Sequence, residues 1–218
     1  MKQYQLTLVG RLGKHLREKR FALFLKFIRT LSRPLKILDV GGRQEFWDSM
    51  GFREEGVELY LLNSDKTEVA HTTYKTVIGD ARHLDRLFQK GEFDVVFSNS
   101  LIEHVPSYEG QCAVASGIRR VGKRYFVQTP NRYFPLEPHF ISPFFYILPR
   151  RLKVWAVCNI YGRLLNKKFR DPRYAREAID SIRLLTAREL RDMFPDGMLY
   201  KEKIFGLTKS FVVYKMEP

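Results

Sequence analysis

Lys36-Ile-Leu-Asp-Val-Gly-Gly42 is an apolar run that ends in an acid and a glycine pair, and its pattern recurs three times before residue 101. The later copies are Val57–Ser64 (VELYLLNS), Thr76–Ala81 (TVIGDA) and Phe93–Ser100 (FDVVFSNS). Each run has the length of a strand covered on both faces, and helix-compatible sequence separates the runs. This alternation predicts an α/β fold with a doubly wound parallel sheet, whose ligand lies beyond the carboxyl ends of the strands. The residues left at those ends are Asp39, Gly41, Gly42, Asn63, Asp80 and Asn99. The Lys and Ser/Thr of a phosphate loop are absent from this set, which suits a cationic, ribose-bearing ligand better than a polyphosphate.

Outward from this core, a basic helical region covers roughly 11–32 and stops before Pro34. Helices are expected near 44–52, over 81–89 and over 107–117, the second ended by Gly91. A fifth strand reads over Arg124–Gln128. Residues 130–183 form a Pro-, aromatic- and Arg-rich insertion that predicts two or three helices over the strand ends. Thr186-Ala-Arg-Glu189 has the capping-box pattern and opens another helix. Leu199–Phe205 and Ser210–Lys215 read as an antiparallel hairpin at one sheet edge. Five parallel strands and this hairpin make seven, within one domain spanning 1–218.

Composition bounds the function. Cys112 and Cys158 are the only cysteines, so neither a disulfide scaffold nor a cysteine zinc cluster is expected, and no metal ligand set is assigned. No secretory leader is read at the N-terminus, and no run reaches the roughly 20 apolar residues that span a bilayer. These features predict a cytoplasmic protein. The formal charge of +14 is concentrated. Residues 1–36 hold ten Lys/Arg against Glu18 alone, and residues 150–176 hold nine against Asp171. The remainder is slightly acidic, so two basic appendages dominate the surface and favour an anionic partner.

At this point the chain resembles the class I S-adenosylmethionine-dependent methyltransferases, of the type 11, ubiquinone-biosynthesis-like kind. The resemblance rests on ILDVGG at 37–42, GDA at 79–81, FDVVFSNSLIEHV at 93–105, TPN at 129–131 and the closing LLTARELRDMF…GLTKSFVVY. It implies a Rossmann-like seven-stranded fold and S-adenosyl-L-methionine as cofactor. It further implies that Asp39, Gly41 and Gly42 line the methionine end. Asn63 stands where such enzymes usually carry an acid on the ribose. Asp80, with Ala81 beside it, would hold the adenine, and Asn99 and Ser100 would flank the sulfonium. One departure concerns the turn: the positions two and four beyond Gly41, normally glycine, are Arg43 and Glu45. That departure keeps a catalytically degenerate scaffold open as an alternative.

Methyl transfer to oxygen needs a base, and histidine serves best near neutral pH. Of the five histidines, His15, His71 and His83 read as surface positions. His104 follows strand four, and His139 lies in the insertion where a lid crosses the site. These two are the catalytic candidates, each with a structural alternative: a helix-start residue for His104, a loop anchor for His139. Glu103 could orient His104 or sit in the site itself, and a metal role there has little in the sequence to support it. Arg132 and Glu137 flank the predicted entrance as substrate-binding candidates. Asp80 has its own alternative as a helix N-cap.

The appendages bear on the acceptor. Leu12, Leu16, Leu23, Phe24, Phe27, Ile28 and Leu31 recur near helical spacing. That pattern reads first as a helix covering the sheet and second as one lying on an anionic membrane. The stretch Phe140–Leu165 predicts a hydrophobic pocket with a basic rim. The favoured function is therefore O-methylation of a small, lipid-linked or glycan-type acceptor, peripheral to the inner membrane face. RNA methylation is the alternative that the charge favours, although Asn99-Ser-Leu-Ile lacks the Pro-Pro-aromatic loop of base-amino enzymes. A nicotinamide dehydrogenase is disfavoured because the first turn has no G-x-G-x-x-G.

Overall fold

The apolar runs form strands because burial on both faces rewards their Val, Ile, Leu and Phe content. A computed structural model describes residues 8–65, 74–137, 139–140, 142–164 and 166–217, with side chains for all of these except 8–12, 137 and 164. The strands in chain order are β1 (Leu35–Val40), β2 (Val57–Asn63), β3 (Tyr74–Ile78), β4 (Phe93–Asn99) and β5 (Gly122–Pro130). A short ribbon follows, β6 (Leu136–Glu137) with β7 (Ser142–Pro143), and then the edge strands β8 (Met198–Ile204) and β9 (Leu207–Lys215). The helices are α1 (Leu8–Arg29), α2 (Gln44–Ser49), α3 (Leu84–Leu87), α4 (Tyr108–Val121), α5 (Arg150–Ala156), α6 (Gly162–Leu164), α7 (Pro172–Asp180) and α8 (Ala187–Met193).

Seven strands make one sheet in the order β3-β2-β1-β4-β5-β9-β8. The first five are parallel, and β9 runs antiparallel to both β5 and β8. The chain reverses its direction of winding between β1 and β4, so a crevice opens beyond their carboxyl ends. This is the predicted doubly wound sheet with an antiparallel edge hairpin. Strand five is longer than the expected Arg124–Gln128. The expected helix over 81–89 is instead a 3₁₀ turn, Ala81–His83, followed by the single turn α3. The ribbon β6–β7 was not anticipated, because two-residue strands leave no period to read.

Two apolar layers cover the sheet. On one face α1 and α2 contribute Phe21, Phe24, Phe27, Ile28 and Trp47 against Ile37, Val95, Phe97, Phe126 and Val212. The basic N-terminal helix thus packs its apolar stripe on the sheet, the first of its two readings. On the other face α4 and α8 set Val114, Ile118, Leu190 and Met193 against Leu38, Val40, Val96 and Val127. The insertion builds a smaller core of its own around Phe140, Phe145, Val157 and Ala175. A π-helical turn, Val157–Tyr161, joins α5 to α6 within it. Among the described residues, no helix is long and apolar enough to cross a membrane.

Candidate active site

Gly41 and Gly42 decide what can approach the end of β1. Gly41 has φ +82° and its N–H donates to the Leu62 carbonyl (2.8 Å). A Cβ there would meet Leu101 Cδ1 at 2.6 Å, so both conformation and space demand glycine. At Gly42 a Cβ would fall 2.1 Å from Asp39 Oδ2. The Asp39 carboxylate lies buried under this turn and accepts from Trp47 Nε1–H (2.7 Å). Burial raises its pKa to about 7, opposed by the Trp47 hydrogen bond. The Asn63 amide donates to the Gly42 carbonyl and ties the ends of β1 and β2 together. Arg43 has extended backbone and precedes α2, and both it and Glu45 are exposed. The side chains at the two departing positions thus stand in solvent and are not packed into the turn.

Beyond this turn lies a cleft of about 410 Å³ lined by Gly41, Asn63, Gly79, Asp80, Ala81, Leu101 and His104, among others. It sits at the predicted end of the sheet and is lined by Gly41, Asn63, Asp80 and Ala81, half of the predicted cofactor residues; Asp39, Gly42, Asn99 and Ser100 do not line it. Asp80 caps the following 3₁₀ turn through Arg82 N–H (2.8 Å), and its carboxylate also pairs with the Arg82 guanidinium. The hydrogen bonds from Arg82 hold its pKa down at about 2. The capping alternative for Asp80 is thus realised while the residue still lines the cleft.

The side chains of Asn99 and Ser100 are engaged by other parts of the chain. Asn99 Oδ1 accepts from the Arg20 guanidinium, and Ser100, at φ +56°, donates through Oγ to Gln128 Oε1 (2.8 Å). Arg20 also forms a two-pronged, buried ion pair with Glu202 of β8, both bonds 2.8 Å. Ser210 of β9 donates to the same carboxylate. Lys209 is half-buried nearby, and desolvation lowers its pKa. Sequence reasoning counted Arg20 among solvated cations and passed over Glu202. The available signal was position: Arg20 precedes Phe21 and Phe24 on the stripe that packs against the sheet.

His104 joins the cleft to the insertion. Its ring meets that of His139 edge to face, with centroids 5.0 Å apart. Glu103, next to it, is fully buried. Its Oε2 accepts from Thr129 Oγ1–H (3.0 Å), whereas Oε1 has no hydrogen-bond partner among the described residues. Burial raises the Glu103 pKa to about 7, against the nearby His139 and Thr129, which lower it. The Glu103 carbonyl accepts from Arg183 N–H (2.8 Å), and Gln111 Nε2 donates to the Ile102 and Arg183 carbonyls. These bonds lock the Ile102–His104 turn against the far end of the insertion.

Phe140, which follows His139, lines a second cavity of about 250 Å³ with Arg132, Phe145, Tyr146, Lys153 and Arg183. Burial and the neighbouring Arg132 lower the Lys153 pKa. Arg183 is matched by Glu189, so Arg132 and Lys153 are the cations this aromatic pocket offers to an acidic group. Of the other candidates, His15 and His83 are exposed. The side chain of Glu137, and the whole of His71, lie outside the described residues. Cys112 and Cys158 are both unpaired, on α4 and on the π-helical turn.

No protein-family model matches the chain, and no curated protein matches it. Solved structures do match in fold. An S-adenosylmethionine-dependent methyltransferase from Methanosarcina mazei is 14% identical, with a TM-score of 0.51 over 88% of this chain and 95% of its own. Another from Archaeoglobus fulgidus is 14% identical, with a TM-score of 0.54 over 91% and 93%. The Burkholderia thailandensis 1,6-didemethyltoxoflavin-N1-methyltransferase, solved with S-adenosylhomocysteine, is 13% identical, with a TM-score of 0.53 over 91% and 76%. At these identities the likeness is one of fold.

Proposed function

We propose that this protein is an S-adenosylmethionine-dependent methyltransferase of the type 11-like kind. In this reading it methylates a hydroxyl on a small, lipid-linked or glycan-type acceptor that carries an acidic group. The observation that carries the reading is continuity. His104 lines the glycine-walled cleft, its ring meets His139, and Phe140, next in the chain, lines the cationic aromatic pocket. The fold neighbours named above support the choice of cofactor. The cofactor also fits the residues present: Gly41, at φ +82°, and Gly79 line the cleft with backbone that a ligand can approach, while glycine at 42 leaves room for the buried Asp39 carboxylate. The cleft's cationic side chain, Arg82, is already paired with Asp80, which suits a ligand of positive rather than polyphosphate charge.

S-adenosylmethionine supplies an electrophilic methyl group on a sulfonium, so the chain itself has to position the acceptor and manage one proton. Arg132 and Lys153 bind the acidic group, and Phe140, Phe145 and Tyr146 cover the apolar part. This holds the hydroxyl beside His104 and His139, whose cluster with Glu103 takes its proton. The buried Glu103 and the hydrogen bonds of Gln111 keep that cluster in register with the cleft.

The test is methyl transfer from tritium-labelled S-adenosylmethionine to prenyl-linked and glycan-linked hydroxyl compounds, each with and without a carboxylate or phosphate. Label is expected in the acidic acceptors, and Arg132→Ala should raise KM at least roughly tenfold with a smaller change in kcat. Label appearing in RNA, and in none of these acceptors, would overturn the proposed substrate class.

A further inference from the structure

Glu103, His104 and His139 each offer one ligand atom, and these atoms all lie within 4.8 Å of one another. Two imidazole nitrogens and one carboxylate oxygen are a set that divalent transition metals favour, zinc among them. A second, independent observation points the same way. Oε1 of Glu103 is buried without a hydrogen-bond partner among the described residues, whereas buried carboxylate oxygens are nearly always satisfied. We propose that Glu103, His104 and His139 form a divalent-metal site, between the glycine-walled cleft and the lid pocket, that binds zinc-class ions with Glu103 as its fixed ligand.

The geometry favours an ion that closes the site. A tetrahedral zinc with ligands about 2.1 Å away holds them roughly 3.4 Å apart, so the three groups must approach by an ångström or so. Glu103 cannot move: Thr129 holds its other oxygen, and its backbone is bonded to Arg183. The adjustment falls to the imidazoles. His104 is exposed and His139 half-buried, on a different segment of chain. The cations that act on Glu103 from elsewhere are Arg20 and Lys209. Arg20 is already matched by Glu202, which leaves Lys209 as the positive charge an ion competes with.

An ion there would have three protein ligands and an open position facing the acceptor, the arrangement of catalytic rather than structural zinc. The role, though not the binding, rests on the methyltransferase reading. A hydroxyl bound at the open position is acidified. With the imidazoles ligating the ion they no longer serve as the base: the O–H bond breaks, the proton passes to water, and the oxygen is left as the nucleophile. A metal role for Glu103 beside His104 had little support in the sequence, because nothing there shows that His139, 36 residues on, meets them.

The experiment is titration of the metal-free protein with Co²⁺, followed by visible absorption, and then displacement by Zn²⁺. Neither S-adenosylmethionine nor acceptor is present, so the result is independent of the methyltransferase reading, which titration with S-adenosylmethionine tests separately. The wild type should develop the absorption of ligand-bound cobalt in a one-to-one ratio, and Zn²⁺ should abolish it. Losing a ligand costs at least the roughly 10–100-fold that loss of an outer-shell partner does, so Glu103→Gln and His139→Ala should each weaken Co²⁺ binding by that factor or more. His15→Ala, distant in sequence and exposed, should not. Circular dichroism checks that each variant is folded; His104→Ala, at an exposed position, replaces any variant that is not. No cobalt spectrum in the wild type, or one that these variants leave unchanged, would overturn the site.

Discussion

Gly42 shows how one residue sets the chemistry of the cleft. Its missing Cβ leaves space that the Asp39 carboxylate occupies, and that carboxylate in turn orients Trp47. Gly42→Ala must displace one of them, and we expect at least roughly tenfold weaker S-adenosylmethionine binding by calorimetry. An unchanged affinity would mean that the turn does not face the ligand. Asp39 also makes a pH prediction. Its unfolded pKa is about 3.9, and burial raises the folded value to about 7. Between those values the folded state keeps a proton that the unfolded state has released, so stability falls as pH rises. Glu103, also raised to about 7, acts with the same sign. The melting temperature should therefore drop between about pH 5 and about pH 8, less steeply in Asp39→Asn, which removes one of the two groups. Equal slopes in variant and wild type would count against the buried acid. At this scale the tight turn at Gly41–Gly42 after β1 was legible, because an apolar run that ends in a glycine pair asks for one. The burial of Glu103 was not, since it depends on where the insertion returns to the sheet.

At the scale of elements, α1 and the β8–β9 hairpin are the two ends of the described chain, and Arg20 fastens them together. Its guanidinium meets Glu202 with two bonds and reaches Asn99 at the tip of β4. A buried ion pair gives little net stability, but breaking one side strands a charge. Arg20→Met should lower the unfolding free energy by about 3–5 kcal/mol in urea. The double variant Arg20→Met/Glu202→Leu should recover most of that loss. A single variant costing under about 1 kcal/mol would show that water screens the pair. The helical period over roughly 11–32 was plain in the sequence, as was the stripe that includes Phe24, Phe27 and Ile28. Which cation that stripe carries inward was not, because the partner lies 182 residues away. The same distance effect explains Asn99: its place at the end of β4 was readable, its engagement by Arg20 was not.

At the scale of the whole molecule, a slightly acidic sheet carries a basic insertion. That insertion also exposes Phe144, Ile147, Leu152, Trp155 and Ile160 near Arg150, Arg151 and Arg163. Exposed aromatics interleaved with cations suit an anionic lipid surface. We expect the protein to sediment with vesicles containing phosphatidylserine, less so at high salt, and Trp155→Ala to weaken this several-fold. Equal binding to neutral vesicles would argue against an electrostatic component. The doubly wound order was legible because its strands are long and apolar, while the small core of the insertion draws on residues from Phe140 to Ala175 that share no period. The central claim is that the glycine-walled cleft binds S-adenosylmethionine, and calorimetric titration of the wild type and Asp80→Ala tests it most directly. Micromolar binding that is lost or at least roughly tenfold weaker in the variant is the predicted result. A wild type that does not bind S-adenosylmethionine would contradict the claim.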